Sequence, residues 1–215
     1  MKTRIYLVRH TQTVGNIEHR LTGRKDYEVT EQGKIYVSKM TERLKDVKFD
    51  MAYASTSKRT SKTIKELADF NNLPIIEDKG LCEMYFGIYD GKTWDEVNRI
   101  DPKIDRLHQE TNEICEIPEQ ETTEAVTERM YNTMSNIATK NLGKNVLICS
   151  HGVAIEAFLR KVTGIPFIEK IKEYSQKNTS LNIVTYDSNT KSFEIELLND
   201  FSHLENTKKV ECVER

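Results

Sequence analysis

Residues 4–16 read Arg-Ile-Tyr-Leu-Val-Arg-His-Thr-Gln-Thr-Val-Gly-Asn. Residues 4–8 form a short, largely apolar run without polar alternation, the pattern of a strand buried on both faces of a sheet. The run ends directly in Arg9 and His10, and a polar loop comes next. In open α/β sheets ligands sit just beyond the carboxyl ends of such strands, so this pair is placed for chemistry on an anion. An imidazole is a neutral nucleophile near neutrality, and a guanidinium offers a fixed fork of donors that fits phosphoryl oxygens. Taken alone, the dipeptide is equally consistent with a surface Arg-His pair at a strand end.

Working outward, Thr30 is placed to cap a helix running to about Asp46, with Ile35, Met40, Leu44 and Val47 facing inward. Residues 50–54 resemble a second buried strand, closed by Ser55-Thr56-Ser57, and residues 58–71 a helix with Ile64, Leu67 and Ala68 on its apolar face. Residues 74–77 make a short third strand. In the helix expected at 123–141, Val126, Met130, Met134, Ile137 and Ala138 share one stripe. Residues 145–149 are another buried strand, followed by Ser150-His151-Gly152 and a helix from Val153 to Val162; residues 181–186 and 192–198 read as a hairpin-like pair. Strands alternating with helices predict a βαβ architecture with a mostly parallel sheet.

At 215 residues, one α/β domain carrying an insertion is expected over residues 1–215. The insertion is assigned to residues 95–128, which hold eleven acidic and three basic residues against a net charge of −2 for the whole chain. It reads as a solvated acidic helical cap rather than part of the sheet. With 32 basic and 34 acidic residues, no overall field draws the chain to nucleic acid or to a membrane. Cys82, Cys115, Cys149 and Cys212 show neither paired nor metal-type spacing and read as reduced thiols. Between Met1 and Arg9 only Ile5 to Val8 are consecutively apolar, too few for a signal peptide or a span, so a soluble cytoplasmic enzyme is expected.

Three further segments carry chemistry. His151 repeats the logic of His10, because a buried strand ends and a histidine projects, with Gly152 beside it. Arg59 stands at the start of the helix after another strand end, where the helix dipole disfavours a cation and a bound anion would account for it. Glu83 lies in Leu81-Cys-Glu-Met-Tyr-Phe-Gly87, apolar and aromatic surroundings that raise a carboxyl pKa and suit it to proton donation. Two rival phosphate motifs fail. Gly87-Ile-Tyr-Asp-Gly91-Lys92-Thr93 has three residues between its glycines where a nucleotide-binding P-loop needs four, and the positions six after Cys82, Cys115 and Cys149 hold Ile88, Glu121 and Ile155, not the Arg of a cysteine phosphatase.

Together, Leu7-Val-Arg-His10, Thr13-Val-Gly-Asn16, Thr22-Gly23, Ser55 to Thr63, Leu81 to Gly91, Ser150-His-Gly152 and Asn199-Asp-Phe-Ser-His-Leu204 resemble the histidine phosphatase superfamily, also called phosphoglycerate mutase-like, over about residues 4–204. The resemblance implies a three-layer α/β/α sandwich with a mostly parallel central sheet and a helical insertion. It implies that His10 takes the phosphoryl group as a phosphohistidine, and that Arg9, Arg59 and His151 surround that group and neutralise its charge. Asn16, Thr22, the Gly23 amide and Gly152 would complete the binding site. Glu83 would protonate the leaving alkoxide and then accept a proton from water. No metal or other cofactor is required, and the partner is a small phosphorylated metabolite. Thr11 departs from the pattern, standing where the family most often has Gly after the nucleophile.

Within the resemblance, hydrolysis is favoured over mutase activity. Mutases typically follow the catalytic Glu with Arg-His-Tyr-Gly, whereas Glu83 is followed by Met84-Tyr-Phe-Gly87. Residues 95–128 contain no adjacent Arg pair to hold a substrate carboxylate, and their acidity disfavours a doubly charged phosphoglycerate. A cofactor-dependent phosphoglycerate mutase and a catalytically silent phosphoester- or protein-binding module stay open as alternatives. Tyr85, Phe86, Tyr89 and Trp94 are candidates to line an acceptor pocket, with core packing expected for at least two of them. A homodimer through the edge left by the strand pair at 181–198 is also open.

Overall fold

The computed structural model describes residues 1–104 and 117–205. Six strands form one sheet: β1 (Lys2–Arg9), β2 (Met51–Ala54), β3 (Ile75–Glu77), β4 (Asn145–Ser150), β5 (Leu181–Asp187) and β6 (Ser192–Asp200). Their order across the sheet is β3-β2-β4-β1-β5-β6. The first four run parallel, and β5 and β6 are antiparallel additions on the β1 side, so the mostly parallel sheet expected from the sequence is present.

Period-2 alternation sorts the strand side chains onto two faces. Ile5 and Leu7 of β1 join Val146 and Ile148 of β4 in one core, covered by α5 (Thr123–Lys140) and α6 (Gly152–Thr163). Tyr6 and Val8 join Leu147 and Cys149 in the other, under α2 (Glu31–Leu44) and α3 (Lys58–Phe70). The connection leaving β1 therefore crosses one face, through α2, and the connection leaving β4 crosses the other, through α6. Adjacent parallel strands whose connections diverge open a crevice at their carboxyl ends. Arg9 pairs with Ser150 in register, so His10 and His151 emerge side by side at that crevice.

The helix boundaries are set by local chemistry. Thr30 caps α2 by accepting the Gly33 amide, with Glu31 in the first turn. The buried stripe of α2 is Gly33, Tyr36, Met40 and Leu44, which corrects the expected inner face: Ile35 lies off the stripe and is 47% exposed, and Tyr36 takes its place. The helix stops at Leu44, and Val47 packs against the core from beyond it. The expected stripe of α5 is buried in full.

Of the acidic segment, α4 (Trp94–Ile100) is closed by a capping box between Thr93 and Glu96. Most of its described apolar residues are not solvated: Val97, Ile104, Ile117 and Val126 are buried in the α5–α6 core, and Ile100 is exposed. Residues 105–116, including Arg106 and Cys115, and residues 206–215, including Cys212, lie outside the described part. Among the described residues, no helix is long and apolar enough to cross a membrane.

Thr11 is accommodated by the way α2 docks on β1. Its amide donates to Thr63 Oγ1 (2.9 Å) and its hydroxyl to the Gly33 carbonyl (2.7 Å). The glycine of this contact is at position 33, where a Cβ would stand 2.3 Å from the Gln12 carbonyl oxygen. Thr11→Val keeps the shape and deletes the buried hydroxyl bond. It is expected to lower unfolding free energy by about 1 kcal/mol in urea titration; an unchanged midpoint would show that the bond does not contribute.

Candidate active site

His10 follows β1 and is buried. Its Nδ1 lies 2.8 Å from the Thr11 carbonyl, which can only accept, so Nδ1 carries the proton and Nε2 keeps its lone pair. Burial, reinforced by Arg59 and Arg9, holds the imidazole well below its ordinary pKa, so the ring is neutral.

His151 caps α6 with extended backbone and is also fully buried. Arg59 Nη2 donates to its Nδ1 (2.9 Å), which places the ring proton on Nε2, 2.7 Å from Ser55 Oγ. Burial and the charge of Arg59 keep this ring neutral as well. The His10 and His151 ring centroids are 5.2 Å apart. With His151 neutral and its Nδ1 accepting, the positive charge beside His10 rests on Arg9 and Arg59.

Arg59 lies in the first turn of α3 with no exposed surface. An anion does account for a cation at this helix start, and it is the chain's own Asp26. Asp26 accepts from the Lys58 amide (2.8 Å) and from Arg59 Nη1 (3.0 Å). The Lys25 and Gly23 carbonyls take Arg59 Nη1 and Nη2 at 2.8 and 2.9 Å. Arg9 donates to the Gln176 carbonyl and packs against Gly152, where a Cβ would make only ordinary contact. The Nε atoms of Arg9 and Arg59 are buried without a protein partner, two donors in keeping with an anion as ligand.

Glu83 is buried at the start of α6, where its carboxylate accepts from the amides of Met84 (2.9 Å), Ala154 (3.0 Å) and Val153 (3.2 Å). Burial pushes its pKa up, and those amides and the charge of Arg59 only partly oppose it.

Asn16 accepts from the Thr13 amide and hydroxyl (3.0 Å each) through its carbonyl oxygen, leaving its NH2 group to donate. The Thr22 hydroxyl donates to the Arg20 carbonyl (3.0 Å). The Gly23 amide is not free for a phosphoryl group: it donates to Asp90 Oδ1 (2.7 Å), while the Arg24 amide donates to Oδ2 (2.9 Å). Glycine is needed at 23 because a Cβ would stand 2.6 Å from the Met84 carbonyl oxygen. Asp26 and Asp90, which hold Arg59 and the Thr22–Arg24 turn, escape a reading of the sequence, where they look like any loop acids. Phe86 and Tyr89 are core residues, as expected of at least two of the aromatics.

Residues 5–200 match the histidine phosphatase superfamily, branch 1. The chain belongs to that superfamily. It is 25% identical over 206 residues to a probable phosphoglycerate mutase GpmB of Erwinia tasmaniensis, covering 94% of this chain and 95% of that one. The solved structure of Bacillus stearothermophilus YhfR is 28% identical with a TM-score of 0.88, covering 94% of this chain and all of that one. The mycobacterial glucosyl-3-phosphoglycerate phosphatase, at 19% identity and a TM-score of 0.79 over 94% of this chain and 100% of that one, shares the fold. Superfamily members are phosphatases or mutases, which makes this chain an enzyme of that kind.

The two neutral histidines carry a pH signature. Both are held below 6.5, the value they regain on unfolding, so the unfolded chain binds more protons as pH falls through that value and stability drops. His203, held at about 4 mainly by burial, acts in the same direction. Glu83, raised when folded, offsets part of the loss at the acid end. Unfolding free energy from urea titration is expected to fall by about 2 kcal/mol between pH 7.5 and 5.5, each buried histidine contributing up to about 1.4 kcal/mol per pH unit. A flat profile would contradict neutral rings.

Proposed function

We propose that this protein is a phosphomonoester hydrolase that acts through a phosphohistidine on His10 without a metal. The observation that carries the reading is His10 with its proton fixed on Nδ1 by the Thr11 carbonyl, beside Arg9 and Arg59, whose Nε atoms are buried without a protein partner. Nε2 attacks phosphorus and the ester P–O bond breaks, while protonated Glu83 gives its proton to the leaving alkoxide. A substrate dianion entering beside Glu83 raises its proton affinity further and favours that protonated form. Arg9 and Arg59 meet the charge on the phosphoryl oxygens, so the electrostatic work of phosphoryl transfer is done by fixed side chains. Glu83, now a carboxylate, takes a proton from water; the oxygen attacks phosphorus, the P–N bond breaks, and phosphate leaves with His10 restored. Asn16 is proposed to donate to the same oxygens, as is Thr22 once its hydroxyl turns away from the Arg20 carbonyl, with Gly152 leaving room at the start of α6. The substrate is a small phosphorylated metabolite, and the location a cytoplasmic one.

Hydrolysis is preferred to isomerisation because Met84 stands where mutases typically place Arg and the segment 95–128 is strongly acidic, which repels a phosphoglycerate carboxylate. The mutase reading draws support from the Erwinia relative, which is named a probable phosphoglycerate mutase. Para-nitrophenyl phosphate turnover in the presence of a chelator is expected to persist in the wild type and fall to background in His10→Ala; loss on chelation would overturn the metal-free reading. With 3-phosphoglycerate and its bisphosphate, phosphate release is expected to outpace isomerisation, and the reverse order would make the enzyme a mutase.

A further inference from the structure

The segment that carries Glu83 is gripped from outside the site by an ion pair that the proposed chemistry does not use. Arg129, on α5, divides its guanidinium between Glu121 and that segment. Nε and Nη2 donate to Glu121 Oε1 and Oε2 at 2.8 and 2.9 Å, and Nη1 donates to the carbonyls of Gly80 and Cys82 at 2.8 Å each. The Cys82 carbonyl belongs to the peptide bond that leads into Glu83. On the far side the Glu121 amide donates to the Tyr85 carbonyl (3.0 Å), and the Tyr85 amide makes a longer approach to Glu121 Oε2 (3.4 Å). Residues 80, 82 and 85 are thus all tied to one Arg–Glu pair, and Glu83 lies between them. The segment has no slack against α5 either, since a Cβ on Gly80 would stand 1.9 Å from Thr133 Oγ1.

We propose that Arg129, acting through Glu121 and the main chain of residues 80–85, is the positioning residue that holds Glu83 in line for proton transfer. The inference rests on the general-acid role of Glu83 given above. The pair is part-buried, at 21% and 17% side-chain exposure, and an ion pair near the surface adds little to stability. Its geometry, a fork closing on a carboxylate and two carbonyls, is one that a lysine ammonium cannot reproduce.

A general acid matters most when the leaving group is a poor one, and this separates positioning from general support. Arg129→Met, Arg129→Lys and Glu83→Gln are assayed with an alkyl phosphate and with dinitrophenyl phosphate. For both Arg129 variants, kcat/KM on the alkyl phosphate, which reports the phosphorylation step and not the hydrolysis of the phosphohistidine, is expected to fall about tenfold or more and kcat/KM on dinitrophenyl phosphate by less than about threefold, with Glu83→Gln showing the same contrast more strongly. Equal losses on both esters in the Arg129 variants, beside a contrast in Glu83→Gln, would overturn the positioning role. No contrast in Glu83→Gln itself would remove the acid role of Glu83 and the positioning role with it. If Arg129→Met does not fold, Arg129→Lys, which keeps the charge and loses the fork, carries the test.

Discussion

A guanidinium with no exposed surface is the constraint around which this site is built. Removing Arg59 from water costs several kcal/mol unless partners replace the lost hydration. They come from Asp26, from the carbonyls of Gly23 and Lys25, and from His151. Each imposes a consequence. The loop after α1 (Val14–Ile17) must wrap back over the amino end of α3 to deliver Asp26 and the two carbonyls. His151 must offer a lone pair on Nδ1, which fixes its tautomer and keeps it neutral. Burial, reinforced by the charges of Arg59 and Arg9, keeps His10 uncharged, so the lone pair at Nε2 needs no base to free it.

Glu83 shows structure and proposed chemistry sharing the same atoms. Its carboxylate does the work of a helix cap, accepting the amides of Val153 and Ala154 at the positive end of α6. That contact ties the segment before Gly87 to the turn that presents His151. It also stabilises the anion while burial opposes it, and burial prevails. A carboxyl group balanced in this way can give up and regain a proton without leaving its place.

Much of this is legible in the sequence because both signals involved are local. Unbroken apolar runs such as residues 145–149 mark strands covered on two faces, and the residues just past the end of such a strand in an open sheet lie at the ligand crevice. His10, His151 and the start of α3 are found in this way, and Glu83 by its apolar neighbours. The features that escape depend on contacts between distant segments. Ile35 and Tyr36 can each fill an apolar face, and the docking angle of α2 decides which is buried. Nothing in Lys25-Asp26-Tyr27 tells that the acid will meet Arg59, thirty-three residues on. The Gly23 amide is expected on a phosphoryl group because its partner, Asp90, is sixty-seven residues away. Thr11 looks like a departure next to the nucleophile, and its meaning lies in Gly33 across the α2 interface.

The most direct measurement is to find where the phosphoryl group resides during turnover. The enzyme is mixed with a phosphomonoester, quenched in alkali, which preserves a phosphorus–nitrogen bond, and digested for mass spectrometry. One acid-labile phosphoryl group on the peptide that contains His10 is the expected result, and its absence from His10→Asn would fix the site. Turnover with no phosphoryl group on that peptide, or with one on another residue, would contradict the role given to His10.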